Sequence, residues 1–170
     1  ATSFIQLHYK EFSSMSLVYS CGAGANYGTA LESALKMGET IHIPSCCYEI
    51  EEYIHGPNLQ LTPQYNVIFF DGNDGASHRV EQVYKATRKV SNRAYLISNN
   101  PGLADDDHVL SLSDTVSSEL CPLVYLPFVQ LLSFIISNDL HSIYQHPLLK
   151  EFKAIAAAKT ENFVNYDGDD

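Results

Sequence analysis

The fold is decided by residues 17–39, which read LVYSCGAGANYGTALESALKMGE. The run opens with a β-favouring segment, residues 17–21, that ends in the tight-turn sequence Gly22-Ala-Gly24. A helix is predicted next, over residues 26–37. The face that it turns toward a sheet is predicted to consist of four residues: Ala30, Leu31, Ala34 and Leu35. Strand, tight turn and helix in this order are typical of the opening unit of an α/β fold.

The remaining sequence repeats this alternation. Further strands are predicted at residues 40–43, 67–70, 95–98 and, as an edge strand, 108–112; further helices at 4–12, 48–54, 78–90 and from 119 onward. Alternating strands and helices require crossover connections, which place helices on both faces of a parallel sheet. We therefore predict an α/β fold, namely a three-layer αβα sandwich with a doubly wound, mostly parallel sheet of about five strands. Residues 1–160 are expected to form one domain and residues 161–170 an acidic tail.

Composition excludes several classes of partner. Among the 170 residues, 45% are hydrophobic and 18% charged, which is typical of a globular protein. The formal net charge of −10 disfavours nucleic acid and anionic membranes, because both require a basic surface. The longest apolar stretch, residues 120–137, is interrupted by Pro122, Pro127 and Gln130, so a buried helix is expected rather than a membrane span.

The four cysteines, Cys21, Cys46, Cys47 and Cys121, show no spacing typical of zinc ligands, so no metal site is predicted. Free cysteine is among the residue types most often buried, and reduced buried thiols are therefore expected. This usage and the lack of a visible signal peptide favour a cytoplasmic setting.

Three charged residues of the predicted helix, Glu32, Lys36 and Glu39, fall at positions i, i+4 and i+7 and so share one face. They could be a solvated stripe, in which a Glu–Lys pair contributes about 0.2–0.5 kcal/mol, or part of a site. Gly22-x-Gly24 could present backbone N–H groups to an anion. A dinucleotide motif would need a glycine where Tyr27 stands and an acidic residue after the second strand, so no cofactor is predicted.

A second polar segment reads Glu51-Glu-Tyr-Ile-His-Gly-Pro57. Gly-Pro ends the preceding helix, so the ring of His55 is expected to project into a cleft or an interface. A lone histidine is more often structural, but the histidine ring can carry or release a proton near neutral pH, which suits proton transfer.

The two segments together resemble the second SIS (sugar isomerase) repeat of the glucosamine-6-phosphate synthase family. Members of that family carry Gly-x-Gly-x5-Ala-Leu-Glu-Gly-Ala-Leu-Lys-Leu-Lys-Glu and then Glu-x-x-His-Gly-Pro. Residues 22–39 here are similar to the first run, with Ser33, Met37 and Gly38 in place of Gly, Leu and Lys. Residues 52–57 keep the second motif, with the same spacing from Glu39 to His55. Residues 129–132 resemble the Pro-Leu-Gln-Leu-Leu segment of the family. The resemblance covers residues 16–153, and residues 48–57 are closer to the fructosamine-6-phosphate deglycase branch.

The resemblance implies a phosphosugar isomerase or deglycase that moves a proton between C1 and C2 of an open-chain sugar. Glu39 matches the family's base and His55 the histidine that assists ring opening, often across a subunit boundary. Lys36 could keep Glu39 ionised or stabilise negative charge on the enediol oxygens. The remaining candidates are Gly22, Gly24, Asn26, Lys150 and Lys153 for substrate binding, and Glu32 and Glu52 for structural support.

Two family features are missing: neither Lys150 nor Lys153 stands at the family's distance from Pro147, and no Ser-x-Ser-Gly-x-Thr loop, the family's main phosphate cradle, is found. The chain is therefore expected to supply the acid/base half of a site for a sugar phosphate. The expected partners are an N-terminal SIS half and further copies, as a homodimer or a higher oligomer. A non-catalytic module that binds a sugar phosphate remains the alternative, although a sensor has no need of a base.

Overall fold

A five-stranded parallel sheet forms the centre of the fold. The structure, a computed structural model, describes residues 1–112, 116–142 and 155. The strands are β1 (Val18–Gly22), β2 (Ser45–Glu49), β3 (Asn66–Asp71), β4 (Ala94–Ser98) and β5 (Val109–Ser111). Their order is β2-β1-β3-β4-β5, and every pair is parallel. The predicted fold class is confirmed, and β5 is an edge strand as expected.

Helices cover both faces of the sheet. The first face carries α1 (Thr2–Leu7), α2 (Tyr9–Ser13), α3 (Ala25–Ile41) and α6 (Cys121–Asp139); the second carries α4 (Ile50–Ile54) and α5 (Ser77–Arg88). Short 3₁₀ turns occupy Pro57–Gln60, Pro101–Leu103 and Ser118–Leu120. Side chains of β3 alternate between the layers: Ile68 and Phe70 join the first core, and Val67 and Phe69 join the second. This alternation explains why β3 is a continuous apolar run.

The strand predicted at residues 40–43 is wrong, because α3 continues to Ile41 and the second strand begins only at Ser45. β-branched residues favoured a strand there, but Ile41 is buried in the first core and extends the helix by one more turn. The Thr40 hydroxyl donates to the Lys36 carbonyl at 2.7 Å, which satisfies one acceptor of that last turn.

The predicted helix at residues 48–54 is partly wrong, because its first two residues belong to the second strand. Tyr48 and Glu49 end β2, and only residues 50–54 are helical. An acidic residue therefore does close the second strand, contrary to the sequence analysis. The Glu49 carboxylate accepts the Glu51 N–H at 2.6 Å and so caps α4, and Tyr27 still stands where a dinucleotide motif requires glycine.

The buried face of α3 also differs from the prediction. Leu31 and Leu35 are 49% and 52% exposed, whereas the residues that face the sheet or α6 are Ala30, Ser33, Ala34, Met37 and Ile41. Ser33 can face the sheet because its hydroxyl accepts a hydrogen bond from Ser20 of β1 at 2.9 Å. The buried face of α3 is thus shifted around the helix from the predicted face, and Leu31 and Leu35 lie on the surface.

One helical stretch, Ser118–Asp139, is long and apolar enough to cross a membrane. Its inner side, which includes Tyr125, Phe128 and Leu132, is nevertheless buried in the first core beside α3. This packing agrees with the predicted buried helix.

Candidate functional site

The charged stripe on α3 exists as predicted. The Lys36 Nζ lies 2.9 Å from Oε2 of Glu39 and 3.5 Å from Oε1 of Glu32. The hydrogen bond with Glu39 raises the pKa of Lys36, so the ammonium group is fully charged at neutral pH. The Glu39 side chain is 49% exposed, and such exposed pairs contribute only about 0.2–1 kcal/mol to stability. The stripe therefore places a carboxylate and a cation side by side without being needed for folding.

An open groove of about 650 Å³ runs beside this stripe. It separates the outer side of α3 from β2, which is an edge strand, and its lining includes Leu31, Leu35, Glu39, Ile43 and Cys47. Burial raises the pKa of the Cys47 thiol to about 11, so this cysteine is a neutral thiol and a poor nucleophile near pH 7. Glu39 thus supplies the carboxylate of the groove lining.

The predicted substrate-binding residues Gly22, Gly24 and Asn26 lie elsewhere, at the carboxyl end of β1. A Cβ on Gly22 would collide with the Asn26 carbonyl group, and Gly24 has a φ of +54°, which favours glycine. Asn26 is buried, and its Oδ1 accepts a hydrogen bond from the Thr29 hydroxyl at 3.1 Å. These residues shape the turn into α3 at the point where the strand order reverses.

The second predicted motif forms the exposed end of α4. The Glu52 carboxylate accepts the Glu49 N–H at 3.2 Å, which completes a capping box. The His55 Nδ1 donates to the Glu51 carbonyl at 2.6 Å, so Nε2 is the basic nitrogen of the neutral ring. The Arg79 Nε of α5 donates to Glu51 Oε1 at 2.7 Å and ties the two helices together.

One copy of the chain does not bring Glu39 and His55 together. Glu39 lies in the last turn of α3, about 21 Å along the helix axis from Ala25, and lines the same groove as Ser45 at the start of β2. His55 follows α4 and therefore lies beyond the opposite, carboxyl end of β2. Glu32, Lys36 and Glu39 form one cluster, and Glu52 and His55 another. Lys150 and Lys153 lie outside the described residues.

Sequence reasoning missed the polar centre that follows β3. The carboxylate of Asp71, a fully buried residue, accepts hydrogen bonds from the Ser77 hydroxyl, from the Asn73 N–H at 3.0 Å and from the Ser98 hydroxyl at 2.7 Å. The Tyr125 hydroxyl donates to the Asp71 carbonyl at 2.6 Å. The available signal was the polar run Asp71-Gly-Asn-Asp-Gly75, which directly follows the strand predicted at residues 67–70.

Several N–H groups of that loop are already bonded within it, including that of Asn73. Asp74 N–H donates to the Ser77 hydroxyl at 2.7 Å, and Ala76 N–H donates to the Asp74 carboxylate at 2.8 Å. The loop therefore presents carboxylates where a phosphate cradle would present free N–H groups and hydroxyls.

Among the described residues, Asp106, Asp107 and His108 form the cluster that could hold a metal ion, with ligand atoms within 4.8 Å of one another. All three groups already have partners: Asp106 accepts from Tyr84 at 2.8 Å, and His108 and Asp107 contact each other at 2.6 Å. The cluster precedes β5 and is separate from both predicted clusters.

Comparison with known proteins agrees with this architecture. Residues 11–112 match the family model for the SIS domain. The glutamine–fructose-6-phosphate aminotransferase (isomerizing) of Acinetobacter baylyi is 28% identical over 116 residues, which are 66% of this chain and 19% of that protein. The chain thus spans about a fifth of the length of this curated relative.

Solved structures share the fold at low sequence identity. A Clostridium difficile protein described as a phosphosugar isomerase superposes with a TM-score of 0.78 at 21% identity, over 95% of this chain and 45% of that one. The tagatose-6-phosphate ketose/aldose isomerase of Escherichia coli superposes with a TM-score of 0.65 at 18% identity, over 82% and 40%. Because the family model matches residues 11–112, which are more than half of the chain, the chain belongs to the SIS domain family.

Proposed function

We propose that this chain supplies the acid/base half of a phosphosugar isomerase or fructosamine-6-phosphate deglycase. The observation that carries the proposal is the Glu39–Lys36 pair, 2.9 Å apart, at the edge of an open groove. The isomerizing aminotransferase and the ketose/aldose isomerase among the relatives support this class of reaction.

The chemistry follows from the groups present. The Glu39 carboxylate would take a proton from the carbon next to the sugar carbonyl and return it to the neighbouring carbon. The Lys36 ammonium group would stabilise the negative charge that develops on the enediol oxygens. With Nδ1–H held by the Glu51 carbonyl, the Nε2 of His55 would move the proton that opens the sugar ring.

The site is proposed to be completed by other protein surfaces. The groove beside Glu39 is open, and the carboxylates of the loop after β3 accept N–H groups of that same loop. A second SIS half would bring the phosphate cradle to the Glu39 side. His55 would act in the site of another copy, because it lies at the other end of the sheet from Glu39.

Substitution of the base tests this proposal. We expect Glu39→Gln to lower turnover by about 10²–10⁴-fold, the usual contribution of a general base, while sugar-phosphate affinity changes little. Turnover is measured as solvent deuterium exchange at C1 and C2 of fructose 6-phosphate, glucosamine 6-phosphate and a fructosamine 6-phosphate, with a phosphate-binding SIS half supplied.

The matched control is Glu32→Gln, which removes the other carboxylate beside Lys36. Its effect should stay below about fivefold, since an exposed pair is worth at most about 1 kcal/mol. Full activity of Glu39→Gln would refute the proposed base. A wild type that binds the sugar phosphates but never exchanges deuterium would instead support the non-catalytic binding module.

A further inference from the structure

The groove beside Glu39 has walls that suit an apolar group better than a sugar. Leu31 and Leu35 lie one helical turn apart on α3, are 49% and 52% exposed, and both line the groove. Ile43, from the connection between α3 and β2, lines the same groove. Single exposed leucines are common on protein surfaces, but three branched side chains lining one concave groove form an apolar wall.

The polar groups of the described lining are few and already engaged. The Ser45 hydroxyl donates to the Ala34 carbonyl at 2.7 Å, and burial raises the pKa of the Cys47 thiol to about 11. The Glu39 carboxylate, paired with Lys36 at 2.9 Å, is the charged group of this lining. Each sugar hydroxyl both donates and accepts hydrogen bonds, and the groove offers few free partners for them. It therefore suits a part of the substrate without hydroxyl groups.

The position of Glu39 indicates which part of the substrate that is. Under the function proposed above, the Glu39 carboxylate takes a proton from C1 of the sugar. In a fructosamine 6-phosphate, C1 also carries the nitrogen, so a substituent on this nitrogen begins two bonds from the carbon that Glu39 must reach. The groove starts at Glu39, and its volume of about 650 Å³ can hold an amino acid, since small-molecule sites typically measure about 300–1,000 Å³.

We propose that the groove binds the substituent on the nitrogen of a fructosamine 6-phosphate, and that it selects conjugates of amino acids with apolar side chains. Leu31, Leu35 and Ile43 are then the residues that determine specificity. This inference rests on the function proposed above and, within it, favours the deglycase over an isomerase of unsubstituted sugar phosphates.

The reaction of such a substrate consumes one water molecule. Glu39 takes a proton from C1, the C1–H electron pair forms a C1=C2 double bond, and the C2 carbonyl oxygen gains a proton. Return of a proton to C2 and loss of the N–H proton then give a C1=N imine with a hydroxyl on C2. Water adds to C1 and the C1–N bond breaks, which releases an aldose 6-phosphate and the free amino acid. No oxidant or reductant is needed.

The fructosamine 6-phosphates of leucine and of glycine test this inference, because they differ only in the amino-acid side chain. Release of the amino acid is measured for the full chain, with a phosphate-binding SIS half supplied. We expect kcat/KM for the leucine conjugate to exceed that for the glycine conjugate by at least about tenfold, since even one methylene group in an apolar site is worth about tenfold or more.

Leu35→Ser should bring this leucine-to-glycine ratio close to one. The side chain is half exposed, so the fold should tolerate the substitution. Leu59→Ser is the matched control, because Leu59 is 86% exposed in the 3₁₀ turn after α4 and does not line the groove. It should keep the wild-type ratio. If Leu35→Ser does not fold, Leu31→Ser decides by the same ratio.

Equal kcat/KM values for the two conjugates in wild type would overturn the inference and leave the proposed proton transfer standing. Equal values together with weaker association of the SIS half in Leu35→Ser would show that the groove is a protein interface, which also overturns it. If neither conjugate reacts, calorimetric affinities decide: tighter binding of the leucine conjugate that Leu35→Ser abolishes supports the groove, and equal affinities overturn it. Absence of deuterium exchange into fructose 6-phosphate as well would show that the proposed function itself has failed.

Discussion

Gly22 is the residue on which the turn from β1 into α3 depends most directly. A Cβ at this position would lie 2.8 Å from the Asn26 carbonyl carbon and 3.2 Å from the Tyr27 nitrogen, and both of these are backbone atoms that cannot rotate away. The predicted tight turn therefore has a steric cause at one named position.

We expect Gly22→Ala to destabilise the chain by about 1–3 kcal/mol, the usual cost of overpacking. Gly28→Ala is the control, because a Cβ on Gly28 meets no atom within 4 Å and the position lies inside α3. Alanine there should stabilise by about 0.5–1 kcal/mol. Urea unfolding of both variants measures the difference, and equal stabilities would refute the steric argument.

The Arg79 side chain of α5 links to Glu51 of the motif that contains His55. The hydrogen bond from Arg79 lowers the pKa of Glu51 below its ordinary value of 4.5. Because that pKa is depressed in the folded state, the stabilising contribution is present above pH 4.5 and is lost as the pH falls through the lowered value.

Arg79→Gln should therefore raise the pKa of Glu51 toward its ordinary value, as measured by NMR titration of the side-chain carboxyl carbon. The stability difference from wild type should vanish in acid. Lys85→Gln is the control on the same helix, since Lys85 pairs with Glu81 at 3.3 Å instead. An unchanged Glu51 pKa in Arg79→Gln would contradict the ion pair.

At the scale of elements, the sequence was most informative where apolar runs were continuous. β3 and β4 are buried on both faces, so their hydrophobic residues alone identified them. β2 was misplaced because it is an edge strand with only half-buried residues, SCCYE, which carry no strong pattern. The end of α3 was misplaced because Ile41 is held by tertiary packing, which overrides its local β preference.

The same distinction holds for the candidate site: features set by local sequence were predicted, and features set by tertiary packing were missed. The spacing of Glu32, Lys36 and Glu39 predicted one cluster, because helical periodicity alone sets it. No local pattern could show that Asp71 gathers Ser77 and Ser98 from two other elements. Likewise, the orientation of Leu31 and Leu35 depends on how α3 is rotated against α6 and the sheet, a property of tertiary packing.

At the scale of the whole molecule, Glu39 and His55 lie toward opposite ends of the sheet, which leads to a test of whether two copies share one active site. If one active site combines Glu39 of one copy with His55 of another, Glu39→Gln and His55→Asn should each be inactive alone. An equimolar mixture of the two variants would then regain about a quarter of wild-type activity, because half of all randomly paired dimers are mixed and each has one intact site of two. Activity is assayed after subunit exchange, with the phosphate-binding half supplied.

Unmixed variants taken through the same exchange procedure are the control and should stay inactive. Native mass spectrometry verifies that mixed dimers form. Mixed dimers without recovered turnover would show that His55 and Glu39 do not share a site between copies.

The length of α3 gives the molecule a mechanical property. One helix connects the glycine turn at Gly24 to the carboxylate at Glu39, so it acts as a lever about 21 Å long. A tilt of about 5° at the turn would displace the far end by about 2 Å over that length. Displacements of about 1 Å already matter for a reacting group. The position of the Glu39 carboxylate thus depends on how the opposite end of α3 packs at the glycine turn.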